Sequence, residues 1–385
     1  MRFTIMNTLA NPANDLSHEK QIDELREQTI LAEEMGYECI WLGEHHFGPY
    51  GQGNLPNPIL LGADLAARTT KIRIGQMANI AVWWHPIRLA EDLAVLDNLT
   101  KGRLEVGFGR GIWPYEGPQF HPNADPRKDK ESRELFAETI EVVKKAWTNE
   151  FFFHQGPNYT FPAPGTVFSH PLYPSDPKWQ DGDNVTKLNV TPKPYQKPYP
   201  PLWMTVSTDR STITAAELGI KPCYWQPPAL RLRERFRVYA DTRSKRDGRP
   251  FRIGEDQSVM RHTYVASTME EAKKDSERGV LSSFTFNDPF RGLQVFMNPG
   301  EEVTPDMKMD WDFLEKRHAL VGSPDHVIEK IQELEETCGL DYLVLAYAHP
   351  WTPQKKLLKS LELFATKVMP YFKHSIKQPS AISAS

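Results

Sequence analysis

"CIWLGEHHF", residues 39–47, is the stretch whose reading decides the fold. Cys39 to Leu42 form a short unbroken apolar run, the pattern of a β-strand covered on both faces, as parallel strands under helices are. Glu44, His45 and His46 then follow at once, where the strand hands over to a loop. Three adjacent ionisable side chains would cost desolvation if buried, so they mark either a solvated loop or working chemistry.

Outward from this stretch, strand-like and helix-like segments alternate. "RFTIM" (2–6) precedes an amphipathic run from about Ser17 to Glu34, with Ile22, Leu25, Thr29, Ile30 and Ala32 through Met35 as its apolar stripe and Gly36 as its stop. After "CIWL" come a helical "NPILLGADLAART", the strand run "KIRIGQMANIAV" (71–82), a helix over about Ile87–Leu99, "RLEVGFG" (103–109), and a long surface helix over Asp129–Asn149. The second half continues with "PLWMTV" (201–206), a helix at about Ser211–Leu218, "KPCYW" (221–225) and the basic helix Leu230–Lys245. "SVMRHTYVA" (258–266), Met269–Glu277, Pro324–Thr337 and "DYLVLAY" (341–347) complete it. Eight strand candidates, each with a following helix, predict a single α/β (β/α)8 TIM barrel. A doubly wound sheet usually carries a phosphate fingerprint after its first strand, where this chain has "NTLANPAND".

The barrel is expected to span 1–372, with 373–385 ("KQPSAISAS" at its end) a disordered tail. Two stretches break the rhythm. Residues 151–201 hold eleven prolines among aromatics, and 284–322 contain "FNDPFRGLQVFMNPGEEVTPDMKMDW". Both are read as insertions at the C-terminal mouth of the barrel, the second as a mobile lid after strand 7.

Composition narrows the classes. Of 385 residues, 39% are hydrophobic and 25% charged, ordinary for a soluble enzyme. A net charge of −4 argues against a general nucleic-acid binder. No apolar run approaches the length of a membrane span, and "MRFTIMNTLANPAND" does not read as a signal peptide, so a cytoplasmic protein is expected. Cys39, Cys223 and Cys338 are too few and dispersed for a disulfide framework and read as buried thiols.

In a (β/α)8 barrel the working residues sit at the C-terminal ends of strands. That rule gathers Glu44–His46, Met77–Asn79, Gly109–Gly111 and Ser207–Thr208 at one face. HExxH and HxH spacings are absent, and no metal site is expected. "GFGRGIW" (107–113) lets a flat ring or a phosphate approach the backbone, with Arg110 adding charge; a tight strand-end turn with a surface arginine reads equally well. In "VSTDRSTITAAELG", Ser207, Thr208 and Ser211 lie at a strand end and helix start, where hydroxyls and free N–H groups suit a phosphate; the alternative is an ordinary capped helix.

Together the motifs resemble the bacterial-luciferase-like flavin-dependent monooxygenases: "AEEMGYECIWLGEHHF", "ARTTKIRIG", "HPIRLAEDLAVLDNLTKGRLEVGFGRG", "SRELFAETIEVVKKAW", then "PPLWMTVST" with "TAAELG". The resemblance is ordered over about residues 1–220. It implies a barrel that binds reduced FMN supplied by a separate flavin reductase, a homodimer, and O2 activation as a flavin C4a-peroxide. By the same resemblance His45 is the catalytic imidazole, with Glu44 and His46 its neighbours. Arg110 and Arg133 reach the FMN phosphate, and Ser207, Thr208 and Ser211 form its binding turn. Met77–Ala78 matches a non-prolyl cis peptide under the ring. His46, Trp113 and Trp225 are expected beside a small apolar substrate. Gly109 stands where light-emitting members carry a reactive cysteine.

A peroxide on a flavin needs a proton donor or acceptor in reach and a dry pocket, which an imidazole and Trp83, Trp84, Trp113 and Trp225 could supply. Three rivals stand beside this reading. One is an F420-dependent oxidoreductase of the same superfamily, another a non-catalytic flavin-binding relative. The third, an unrelated hydrolase using Glu44, lacks an evident second carboxylate.

Overall fold

The eight expected strands appear as β1 (Arg2–Asn7), β2 (Cys39–Leu42), β3 (Arg73–Gln76), β4 (Leu104–Gly109), β5 (Leu202–Val206), β6 (Lys221–Trp225), β7 (Ser258–Val265) and β8 (Tyr342–Ala346). The computed structural model describes residues 1–347 and 349–372, so the expected tail lies outside the described residues. Each strand pairs in parallel with the next, and β8 returns to β1, with Arg2 opposite Tyr342 and Met6 opposite Ala346. The sheet is therefore closed, and no edge is left to protect.

Helices α1 (His18–Met35), α2 (Pro58–Arg68), α3 (Pro86–Thr100), α4 (Asp129–Thr148), α5 (Asp209–Leu218) and α6 (Ala229–Asp247) follow the first six strands. Their ends obey local chemistry. Ser17 accepts from the Lys20 N–H to start α1, and Gly36, at φ +82°, ends it. The buried face of α1 differs from the expected stripe: Gln21 and Gln28 are inside, while Ile30 is 41% exposed. Gln28 is held there by polar partners, accepting from Asn7 Nδ2 and donating to Gln354.

Strand 3 is shorter than its apolar run. It stops at Gln76, and the Met77–Ala78 peptide is cis, as the resemblance implied. Asn79–Ile80 then pairs with Phe108 and Gly109 of β4 before a 3-10 turn at Ala81–Trp83. The chain passes so close to β4 that a Cβ on Gly107 would lie 2.0 Å from the Gln76 carbonyl oxygen.

After β7 the expectation needs correcting. The helix α7 does not end at Glu277 but runs from Met269 to Arg291, with Pro289 inside its last turn. Pro289 forfeits the hydrogen bond its N–H would have made to the Thr285 carbonyl, and packing holds the helix instead: Phe284 on the same helix is wholly buried. Residues 284–322 are not a plain loop. They contain the end of α7, a 3-10 turn (Leu293–Phe296), α8 (Trp311–Arg317) and a short strand, Leu320–Gly322, paired with Thr263–Val265 of β7. Phe284, Phe296, Met297, Trp311 and Leu314 form a core of their own with Tyr264 and Val280. Then α9 (Pro324–Cys338) packs on α6, and α10 (Gln354–Leu363) on α1.

The stretch 151–201 leaves the C-terminus of α4 and leads into β5, so it is an αβ connection, whereas the mouth is built by βα connections. It forms two short hairpins, His154–Gln155 with Thr160–Phe161 and Gln180–Asp181 with Asn184–Val185. Glu138 of α4 fastens the first one, accepting from His154 Nε2 and from the N–H groups of Asn158 and Tyr159. Gln196 at its far end bonds Asp97 and the Leu104 carbonyl, at the start of β4. The three cysteines are buried free thiols. Among the described residues no helix is long and apolar enough to cross a membrane.

Candidate active site

A cavity of about 460 Å³ opens at the C-terminal ends of the strands, within the range of small-molecule sites. Glu44, His45, Met77, Ala78, Arg110, Trp113, Arg133, Ser207, Thr208, Ser211 and Trp225 all line it, so the structure brings together residues from β2, β3, β4, β5 and β6. No residue of 151–201 does. His46 is the exception among the expected site residues. Its side chain turns away to donate to Glu44 and to pack on Trp83 and Phe120, so it is not placed against a substrate in the cavity. The bond to Glu44 and the edge contacts with Trp83 and Phe120 hold it there.

His45 lies flat against Trp113, with ring centroids 4.0 Å apart and planes 24° apart. On the other side Gly53 leaves room for the ring: a Cβ there would come within 2.7 Å of it. His45 Nδ1 is 3.5 Å from Glu116 Oε1 and makes no hydrogen bond. Glu116 is wholly buried, and the same oxygen accepts from the His46 N–H at 2.7 Å. The second Glu116 oxygen has no partner. This carboxylate beside the imidazole escaped the sequence reading, because "WPYEGPQF" shows neither helix nor strand periodicity to place it.

Glu44 is spent on local bonds. It accepts from the Ile80 N–H (2.6 Å), from Trp84 Nε1 (3.0 Å) and from His46 Nε2 (3.0 Å), tying the end of β2 to the chain beyond β3. Burial raises its pKa against the pull of His46, Trp84 and that N–H. It lines the cavity but offers it little.

The lining also holds a cationic cluster. Arg110 and Arg133 both pair with Asp129, at 2.9 and 3.0 Å, and Arg210 joins them at 2.9 Å. Burial, and then the like charge of Arg133, lower the pKa of Arg110, while Arg133 foremost lowers that of Asp129. Thr208 and Ser211 close a capping box at the start of α5: the Ser211 N–H donates to Thr208 Oγ1, and the Thr208 N–H to Ser211 Oγ. The capped helix, one of the two alternatives, is present, and Ser207, Thr208 and Ser211 also line the cavity.

Part of the lining is apolar, from Met6, Met204, Cys223 and Met260 among others. Over the mouth α7 brings Ser283, Asn287 and Phe290, and the 3-10 turn after it Val295. His262, Ser283 and Asn287 were missed by the sequence reading. His262 lies mid-strand in an apolar run, and the helix carrying the other two looked finished at Glu277. Burial, with a smaller contribution from His349, pushes the His262 pKa down to about 3, so its ring is neutral.

A closed parallel barrel with this strand-end site belongs to a known class. Residues 1–341 match the luciferase-like monooxygenase family, and the chain belongs to that family of oxidoreductases. It is 26% identical to the "Flavin-dependent trigonelline monooxygenase, oxygenase component" of Acinetobacter baylyi, over 97% of this chain and 96% of that one. It is equally 26% identical to 3,6-diketocamphane 1,6-monooxygenase of Pseudomonas putida, over 89% of this chain and 90% of that one. The crystal structure of monooxygenase RslO1 from Streptomyces bottropensis superimposes with a TM-score of 0.77 at 25% identity, covering 97% of this chain and 100% of that chain. The oxygenating constituent of 3,6-diketocamphane monooxygenase in complex with FMN gives 0.78 at 24%, covering 98% and 99%. An F420-dependent secondary alcohol dehydrogenase shares the fold, with a TM-score of 0.68 at 13% identity, covering 96% and 98%.

Proposed function

We propose that this chain is the oxygenase component of a two-component system, taking reduced FMN from a separate flavin reductase and using O2 to oxygenate a small, largely apolar compound. One observation carries the reading. The cavity is lined by a cationic cluster, by an imidazole stacked on an indole, and by apolar side chains. Of the three guanidinium groups on Asp129, those of Arg110 and Arg133 line the cavity, and with that one carboxylate they leave a net positive charge that suits a phosphate monoester. The residues therefore fit FMN: Arg110, Arg133 and the Ser207–Ser211 turn would hold its phosphate, with Met77 and Ala78 against its ring.

Reduced FMN, when bound, supplies the electrons for O2 activation. The chain's own residues supply position, dryness and a proton. With Glu116 on the Nδ1 side, His45 Nε2 is the atom from which a proton can be given to, or taken from, a reacting oxygen. Trp113 and Phe290 wall the site against water.

The test compares the change the protein makes to the rate of oxygen uptake by FMNH2, measured against the spontaneous oxidation of free FMNH2, with its anaerobic reduction of F420 by a hydride donor. A protein-dependent change with FMNH2 and no F420 turnover is the expected outcome. Hydride transfer to F420 without oxygen uptake would replace this reading with the oxidoreductase one.

A further inference from the structure

Behind β7, on the side of the strand away from the main site, lies a second cavity of about 150 Å³. Successive side chains of a strand point to opposite sides: Met260 and His262 line the main cavity, and Arg261 between them lines this one. Arg261 is 1% exposed. Two of its five N–H hydrogens are used, by the carbonyls of Met260, at 3.1 Å, and Pro227. No aspartate or glutamate pairs with it among the described residues, and every acidic side chain of the chain is among them. Burial pushes its pKa down to about 10, which leaves it charged at neutral pH. A buried charge without a partner costs several kcal/mol, so such groups are ordinarily paired.

The other walls repeat the sign. The helix α6 begins here. Its N-cap is Pro228, which supplies no side-chain cap, and Pro228, Ala229 and Leu230 all line the cavity. The uncapped N–H groups and the positive end of a 19-residue helix therefore stand at the wall. Lys316, Arg317 and Lys330 line it as well. Lys330 pairs with Glu315 at 3.0 Å and Arg317 with Glu301 at 3.5 Å, but Arg317 Nε is buried and has no partner. Glu333 is the acidic side chain of the lining among the described residues. Four cations against these three carboxylates leave a positive charge. The volume is room for an ion, well short of what a nucleotide or an organic substrate occupies.

We infer that this cavity binds a small oxyanion of the size and charge of inorganic phosphate, held by Arg261, Arg317 Nε and the N–H groups that open α6, and that the ion ties the segment 298–317 to the barrel. Asn298 and Arg317, the two ends of that segment, line the cavity together with residues of α6, β7 and α9. No lining residue is shared with the main cavity, so the inference is independent of which flavin the main cavity takes.

Equilibrium dialysis of radiolabelled inorganic phosphate tests it, at constant ionic strength with chloride as the balancing ion. FMN is itself a phosphate monoester, so excess FMN clears phosphate from the arginines on Asp129 and leaves this cavity to the free ion. One phosphate per chain is expected to stay bound in excess FMN. Arg261→Met and Arg317→Gln should each weaken that phosphate about tenfold or more, the scale of a lost charge-assisted hydrogen bond, while Arg133→Ala leaves it unchanged. The same phosphate should slow proteolytic cleavage within 298–310. Absence of bound phosphate, or displacement of all of it by FMN, would overturn the inference. So would unaltered affinity in either variant that folds; Arg317 keeps 22% of its side chain exposed, so its variant decides where Arg261→Met does not fold. Binding that leaves cleavage of 298–310 unchanged would remove the tie to that segment. If FMN displaces no phosphate at all, the cofactor assignment fails, and the two variants still decide this site.

Discussion

Two long excursions leave this barrel, and in sequence they look alike, both mixing proline with aromatic residues. Residues 151–201 leave a helix and enter a strand; their hairpins lie along α4, fastened by the buried Glu138. The segment after β7 leaves a strand; it folds as α7, a turn and α8, and sets Ser283, Asn287, Phe290 and Val295 over the cavity. The side of the barrel from which a segment departs, rather than its composition, decides whether it touches the chemistry. Two buried carboxylates mark the contrast. Burial raises Glu138, but His154, Asn158 and the Tyr159 N–H outweigh it, so its pKa ends below the ordinary value. At the strand ends burial wins, and Glu44 ends above.

The strongest way to break this contrast is at the strand ends. His45→Ala should keep flavin binding but lose roughly 10²–10⁴ in oxygenation rate, with more hydrogen peroxide released per O2 consumed. Stopped-flow spectra and a peroxide assay would measure both. Oxygenation at the parent rate would make His45 a structural histidine.

Next in size is the arginine cluster. Arg133→Ala should weaken FMNH2 binding by about 1.5–3 kcal/mol, the value of a lost charge-assisted hydrogen bond. Unchanged affinity in a binding titration would remove Arg133 from the phosphate site.

The helix-side excursion should answer in stability instead. Glu138→Ala leaves His154 and two N–H groups without an acceptor, so urea unfolding should show a loss of about 1–3 kcal/mol, with oxygen uptake per folded molecule unchanged. Because Glu138 titrates lower folded than unfolded, its contribution is complete above the unfolded carboxyl pKa of about 4.3 and fades as pH falls through the folded value. Glu44 has the opposite sign: its raised folded pKa favours the fold at low pH, and that contribution is lost as pH rises through the folded value. Acid unfolding of the Glu138→Ala variant that matches the parent's would contradict the clamp.

The smallest effect sharpens the lid. The longest part of 284–322 without helix or strand is 298–310, between buried Met297 and Trp311. Limited proteolysis should cut there first, with ligand slowing the cut. First cleavage inside α7, or no protection by ligand, would show that the segment does not act as a lid.

The barrel was legible because each strand is a short apolar run followed by a capped amphipathic helix, and periodicity reports such local facts directly. The strand-end rule then gathered Glu44–His46, Met77–Asn79, Gly109–Gly111 and Ser207–Thr208, and the family resemblance added Arg133, Ser211, Trp113 and Trp225; His45, Met77, Ala78, Arg110, Arg133, Trp113, Trp225, Ser207, Thr208 and Ser211 all line one cavity in the structure. Sequence by itself determined this much: eight β/α units, which ends carry polar residues, and three thiols with no disulfide pattern. The tertiary structure alone decided the rest. His46 faces away from the cavity, Glu116 comes to lie beside His45, α7 continues through Pro289, and 151–201 stays off the mouth. Each of these depends on contacts between residues far apart in the chain or on the direction from which a segment departs, and spacing along one chain records neither.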